Sequence, residues 1–109
     1  MQRLLYSGHI DLRMKVGASV VSCRRGGNSA TFEALNQFFG ISNMPTAPSS
    51  YWNDVHGNTA DDVYADEEGV QTVRNLARNM TFMMQAIADA RDVHDLNTQR
   101  KSAFTNFIR

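Results

Sequence analysis

Small and β-branched residues fill positions 18–23 with no polar residue alternating among them. Such a run predicts a strand buried on both faces, as in a parallel sheet. Arg24, Arg25, Gly26 and Gly27 end it, and a helical pattern begins within three residues. Phe32, Leu35 and Phe39 fall at i, i+3 and i+7, whereas Glu33, Asn36 and Gln37 are expected to face outward. Asn28 or Ser29 suits the cap of this helix, and Gly40 its end. A second short strand is expected over residues 41–45, stopped or confined to an edge by Pro45. Residues 46–58 read as a loop carrying Tyr51, Trp52 and His56.

Thr59 and Asp62 have the spacing of a capping box. From about residue 67 to 92, Val70, Val73, Leu76, Ala77, Met80, Met84 and Ile87 recur at threes and fours, the signature of one long amphipathic helix. Asp66, Glu67 and Glu68 at its start complement the helix dipole. At the other end of the chain, residues 1–7 read as the last turns of a helix stopped by Gly8, and 9–15 as a polar loop. Beyond Asp92 the composition turns polar. Residues 93–109 are expected to be a tail whose Phe104, Phe107 and Ile108 dock on the core or on a neighbouring subunit.

Helix, strand, helix, strand, helix implies an α/β fold with a parallel sheet in a single domain, residues 1–109. Two strands are too few to protect both faces and both edges. The expectation is a partial sheet completed by oligomerisation or strand exchange, hence a homo-oligomer.

Charge and composition narrow this further. Eleven basic and eleven acidic residues cancel, so there is no basic excess of the kind that carries nucleic-acid binding. No apolar run is long enough to cross a bilayer, and the first residues lack the pattern of a signal peptide. Cys23 is the single cysteine, which rules out an intrachain disulfide or an iron–sulfur cluster held by one chain. A reduced, cytoplasmic setting is expected.

Candidate chemistry concentrates at the strand-to-helix turn. Backbone N–H groups and the positive end of a helix dipole suit an anion or the polar edge of a planar cofactor, and two glycines admit a ligand close to the backbone. The same turn also fits an ordinary connection with two solvated arginines. The Tyr51–Trp52 loop suits a binding or interface role, or a Trp that folds back over the core. His56 reads as a hydrogen-bonding structural residue, Met80, Met83 and Met84 as adaptable core, and Arg74 with Arg78 as a solvated flank.

Several short words of the sequence, in order, resemble the flavodoxin-like NADPH-dependent FMN reductase family. They are GASVVSCRRGG over residues 17–27, TFEALN over 31–36, ISNMP over 41–45, SYWNDVHG over 50–57, DEEGVQT over 66–72, RNM over 78–80 and TNFIR over 105–109. What is similar is the second half of such a protein: the chain begins at what looks like the end of the helix after the third strand. The phosphate-binding loop of the family has no counterpart. The resemblance implies a partial flavodoxin-like parallel sheet, FMN as cofactor and NADPH as electron donor. It places Ser22, Arg24, Arg25, Gly26, Gly27 and Asn28 in the loop beside the isoalloxazine ring. Backbone N–H groups of residues 25–28 would meet the O2, N3, O4 edge of the ring, with an arginine stabilising charge on the reduced flavin. Trp52 would approach the flavin or a subunit interface, and Cys23 would pack or line the flavin. No catalytic acid or base is implied, because hydride passes directly between nicotinamide, flavin and acceptor. The alternative expectation is a truncated, self-associating protein without redox activity; a third is a module that has kept the loop for another planar ligand.

Overall fold

The computed structural model describes residues 10–96 and residue 105. The helix tail expected over residues 1–7, and the docking expected of Phe104, Phe107 and Ile108, lie outside the described residues.

The order of elements is β1 (Val21–Cys23), α1 (Asn28–Ile41), β2 (Asp54–His56), α2 (Ala60–Ala65) and α3 (Glu67–Arg91). The strands are parallel, with Val21 opposite Asp54 and Cys23 opposite His56, so α1 is the crossover of a β-α-β unit. The Val21 N–H donates to the Asn53 carbonyl at 3.0 Å, and the Gly57 N–H to the Cys23 carbonyl at 3.0 Å. A mixed α/β architecture with a parallel sheet is therefore present.

The second strand lies elsewhere than expected over residues 41–45. Ile41 is the last residue of α1. Gly40 does not stop that helix; Asn43 does, in the left-handed region at φ 58°. The Asn43 N–H bonds the Gly40 carbonyl at 3.1 Å, and the Met44 N–H the Phe39 carbonyl at 3.0 Å. This is the paired bonding of a Schellman cap, which Asn tolerates better than most residues. The extended chain starts just after, where Gly17 and Thr46 form a parallel bridge. Four steps of chain lead from Gly17 to Val21, but eight lead from Thr46 to Asp54. Four extra residues are thus looped out of the β2 side. Asn75 Nδ2 holds this loop at Ser50 Oγ (3.1 Å), and Asn79 Nδ2 at the Pro48 carbonyl (3.0 Å), both reaching from α3.

Side chains of α1 follow the predicted period with one correction. Asn36 faces inward and accepts from Ser19 Oγ at 2.8 Å. A buried serine needs that partner, since an unpaired buried hydroxyl is costly. Ser19, Asn53, Asp54 and Thr72 are buried alongside the apolar core of Phe39, Ala47, Val55 and Leu76. Gly17 lets the Phe39 ring lie against the backbone: a Cβ there would be 2.7 Å from the ring. Residues 18–23 are not buried on both faces as expected. Val20 is 48% exposed and Ser22 is exposed. Val21 and Cys23 bond to β2, so by the alternation of a parallel strand the backbone groups of Val20 and Ser22 point to the far edge, where no third strand stands among the described residues.

The expected capping box is present: Thr59 Oγ1 accepts from the Asp62 N–H at 3.2 Å, and Asp62 Oδ2 from the Thr59 N–H at 2.9 Å. These bonds hold the Asp62 carboxyl below its ordinary pKa. Asp66 caps α3 in turn, accepting from the Gly69 N–H at 3.0 Å. Gly69 sits where α3 crosses β2, and a Cβ there would lie 2.9 Å from the Asp54 carbonyl oxygen.

Candidate functional site

The strand-to-helix turn leaves the carboxyl end of β1, the side on which open α/β sheets place their ligands. Ser22, Arg24, Arg25, Gly26 and Gly27 are all exposed, and Asn28 is half-buried. No atom stands within 4 Å of where a Cβ would be on either glycine. Gly27 is the N-cap of α1, in the left-handed region at φ 89°. Neither Asn28 nor Ser29 fills that position. Gly27 has no side chain with which to cap the first turn, and no acidic residue stands in that turn. The turn therefore presents helix N–H groups and two arginines, with no acidic residue in the first turn of the helix itself. The Cys23 thiol is free and half-buried just before it.

The Asn28 side chain turns instead toward β2. Its Nδ2 donates to Asp54 Oδ2 and stands 3.3 Å from His56 Nε2. On the other side of the imidazole, Nδ1 is 3.4 Å from Asp66 Oδ2. The Asn28 amide can donate to Nε2, and Asp66 Oδ2 faces Nδ1 on the other side of the ring. The His56 backbone N–H donates to the same Asp66 oxygen at 2.8 Å. His56 is thus a hydrogen-bonding residue that ties β2 to the start of α3. The Asp66 carboxyl is held below its ordinary pKa, chiefly by the Gly69 N–H and then by the His56 N–H.

No family model, no curated protein and no solved structure matches this chain.

Trp52 belongs to a different part of the surface from the glycine turn. It precedes β2, whereas Arg24 follows β1, so in a parallel pair the two flank opposite ends. The looped-out segment sets its ring beside Tyr51, with centroids 4.9 Å apart and planes tilted by 56°. This pair forms one wall of a cleft of about 190 Å³. Asp54 and His56 of β2 and Asp66, Glu68, Gly69 and Thr72 at the start of α3 complete the lining. The structure brings Asn28 of the predicted site to this network through Asp54 and His56. It leaves Arg24, Arg25, Gly26 and Gly27 outside the cleft that Trp52 lines.

Asp54 and Asp66 escaped the reading of the sequence as site residues. The alternation of Asp54 and His56 on one strand face is the available signal, hidden by the turn-rich composition of the residues around them. Among the described residues, no group of three or more His, Cys, Asp or Glu could hold a metal ion. No helix among them is long and apolar enough to cross a membrane.

Proposed function

We propose that the chain provides the ring-side half of a flavin site, as part of an FMN-dependent NAD(P)H oxidoreductase of the flavin- or quinone-reductase type. The observation that carries this reading is the open Gly26–Gly27 turn at the end of a parallel strand, leading into a helix start with no acidic residue and no side chain on its cap. Such donors suit the carbonyl oxygens of a pyrimidine edge. Backbone N–H groups of residues 25–28 would donate to O2 and O4. Arg24 or Arg25 would offset the charge of the reduced ring. The bound flavin supplies the hydride chemistry, and the protein positions it. Ser22 completes the proposed set, with Trp52 contributed by a second copy. Colour tests this. Purified protein incubated with FMN and then desalted should stay yellow, and Gly27→Val should lose the flavin. A colourless parent protein would defeat the proposal.

A second reading is favoured by a specific observation. Val20, Phe82 and Met84 are 48%, 75% and 53% exposed, and the free edge of β1 can pair with another strand. On this reading the chain is a self-associating flavodoxin-like piece without redox activity. Light scattering that finds an assembly, on protein that takes up no FMN, would select it.

A further inference from the structure

We infer that the Tyr51–Trp52 cleft binds a guanidinium group, with the Asp54 carboxylate as its anchor. This site lies apart from the glycine turn, though it shares Trp52 with the proposed flavin set, and it does not rest on flavin binding.

Asp54 is 8% exposed, and a carboxylate so deeply placed is costly unless it is paired and fully hydrogen-bonded. Its one bond is from Asn28 Nδ2 to Oδ2, a neutral donor that brings no positive charge. Among the described residues, the Arg13–Asp11 ion pair and the His56–Asp66 contact both leave Asp54 without a charged partner. The second oxygen, Oδ1, bonds to nothing, yet it is not among the fully buried unpartnered atoms. Asp54 is itself one of the residues that line the cleft. A cation entering there completes its bonding.

The rest of the lining selects the kind of cation. Asp66 and Glu68 add negative charge, and among the described residues His56 is the one basic side chain of the lining, with no Lys or Arg. Trp52 and Tyr51 are 49% and 61% exposed, so their ring faces are available for stacking. A planar, weakly hydrated cation with a fork of N–H donors satisfies both features at once. It stacks on the indole while two of its N–H groups meet a carboxylate. A compact ammonium would forgo the stacking and hold its water more tightly. A cleft of about 190 Å³ takes such a head with a short alkyl arm. The guanidinium can come from a small molecule or from a second copy, whose Arg24 and Arg25 are exposed.

Trp52 is the only tryptophan, so intrinsic fluorescence of the full flavin-free chain reports this cleft alone. Agmatine should change the emission saturably, more strongly than putrescine and unlike sodium chloride at equal ionic strength. Asp54→Asn should weaken agmatine binding about tenfold, as loss of a charged hydrogen-bond partner does. Glu68→Gln, at an exposed position that caps nothing, serves as a second variant should Asp54→Asn fail to fold, and should weaken binding about threefold. The source of the group is read by the Arg24→Ala/Arg25→Ala double variant. Agmatine binding that appears or tightens there, together with loss of a dilution-dependent emission change, assigns the guanidinium to a neighbouring copy. Agmatine binding unaltered there assigns it to a small molecule. A response shared with sodium chloride, putrescine equal to agmatine, or folded acidic variants that bind like the parent would overturn the inference.

Discussion

The two halves of α3 share one amphipathic period and differ in everything that packs against it. In the first half, Gly69, Thr72 and Leu76 are buried, Asp66 caps the end, and Asn75 and Asn79 hold the loop before β2. After Leu76 no residue of the helix is buried. Thr81 bonds back to the Ala77 carbonyl and Gln85 to Asp89, both within the helix. Met14, Lys15 and Val16 reach Met80, Met84 and Ile87 only across an open apolar groove of about 340 Å³. The difference teaches that a 3.6-residue period marks which face of a helix is apolar, while burial depends on an element that arrives from elsewhere in the chain.

Substitutions can break or sharpen that contrast. The largest effect is expected for Leu76→Ala, which removes one of the few buried apolar side chains and should cost about 2–4 kcal/mol in urea unfolding. An equal loss from Met84→Ala would erase the contrast. Gly69→Ala comes next. In an exposed helix this change stabilises, but here the new Cβ meets the Asp54 carbonyl oxygen at 2.9 Å and Asp66 Oδ2 at 2.5 Å. The expected cost is about 1–3 kcal/mol, and a gain in melting temperature would contradict the close approach of α3 to β2.

Asp66→Ala should cost about 1 kcal/mol by uncapping α3. The same residue gives a pH signature. Because its folded pKa is lowered, its contribution is complete above the ordinary carboxylate range and fades as pH falls through the depressed value. Acid titration followed by helical circular dichroism should show the parent losing this increment, and Asp66→Asn should lack it. The smallest stability effect belongs to Phe82→Gln, 75% exposed in the parent, with a shift within about 0.5 kcal/mol. Its readout is association instead: light scattering should show weaker self-association if a second copy covers this face.

Local signals in the sequence were read well where the chemistry is local. Thr59 and Asp62 announce a capping box because both partners lie within one turn, and α3 begins and ends within a residue of where its period does. The second strand was not legible, because Asn53 and Asp54 are polar and yet buried, which defeats a hydrophobic pattern. Asn36 was misassigned for a related reason: its inward position makes sense only with Ser19, seventeen residues earlier. For the candidate sites, the glycine turn could be seen in advance, whereas the cleft could not. Its walls come from the looped-out Tyr51 and Trp52, from β2 and from the first turns of α3.

What the sequence determined by itself is the set of local choices: two amphipathic helices, a capping box ahead of the second, a β-branched run, and an open glycine turn. Periodicity and capping act over three or four residues and need no partner. Tertiary structure alone decided where β2 pairs, which polar groups are buried, and which half of α3 is covered. Those outcomes depend on contacts between distant segments, where a backbone approach at Gly69 or a single amide from Asn28 sets what a side chain meets.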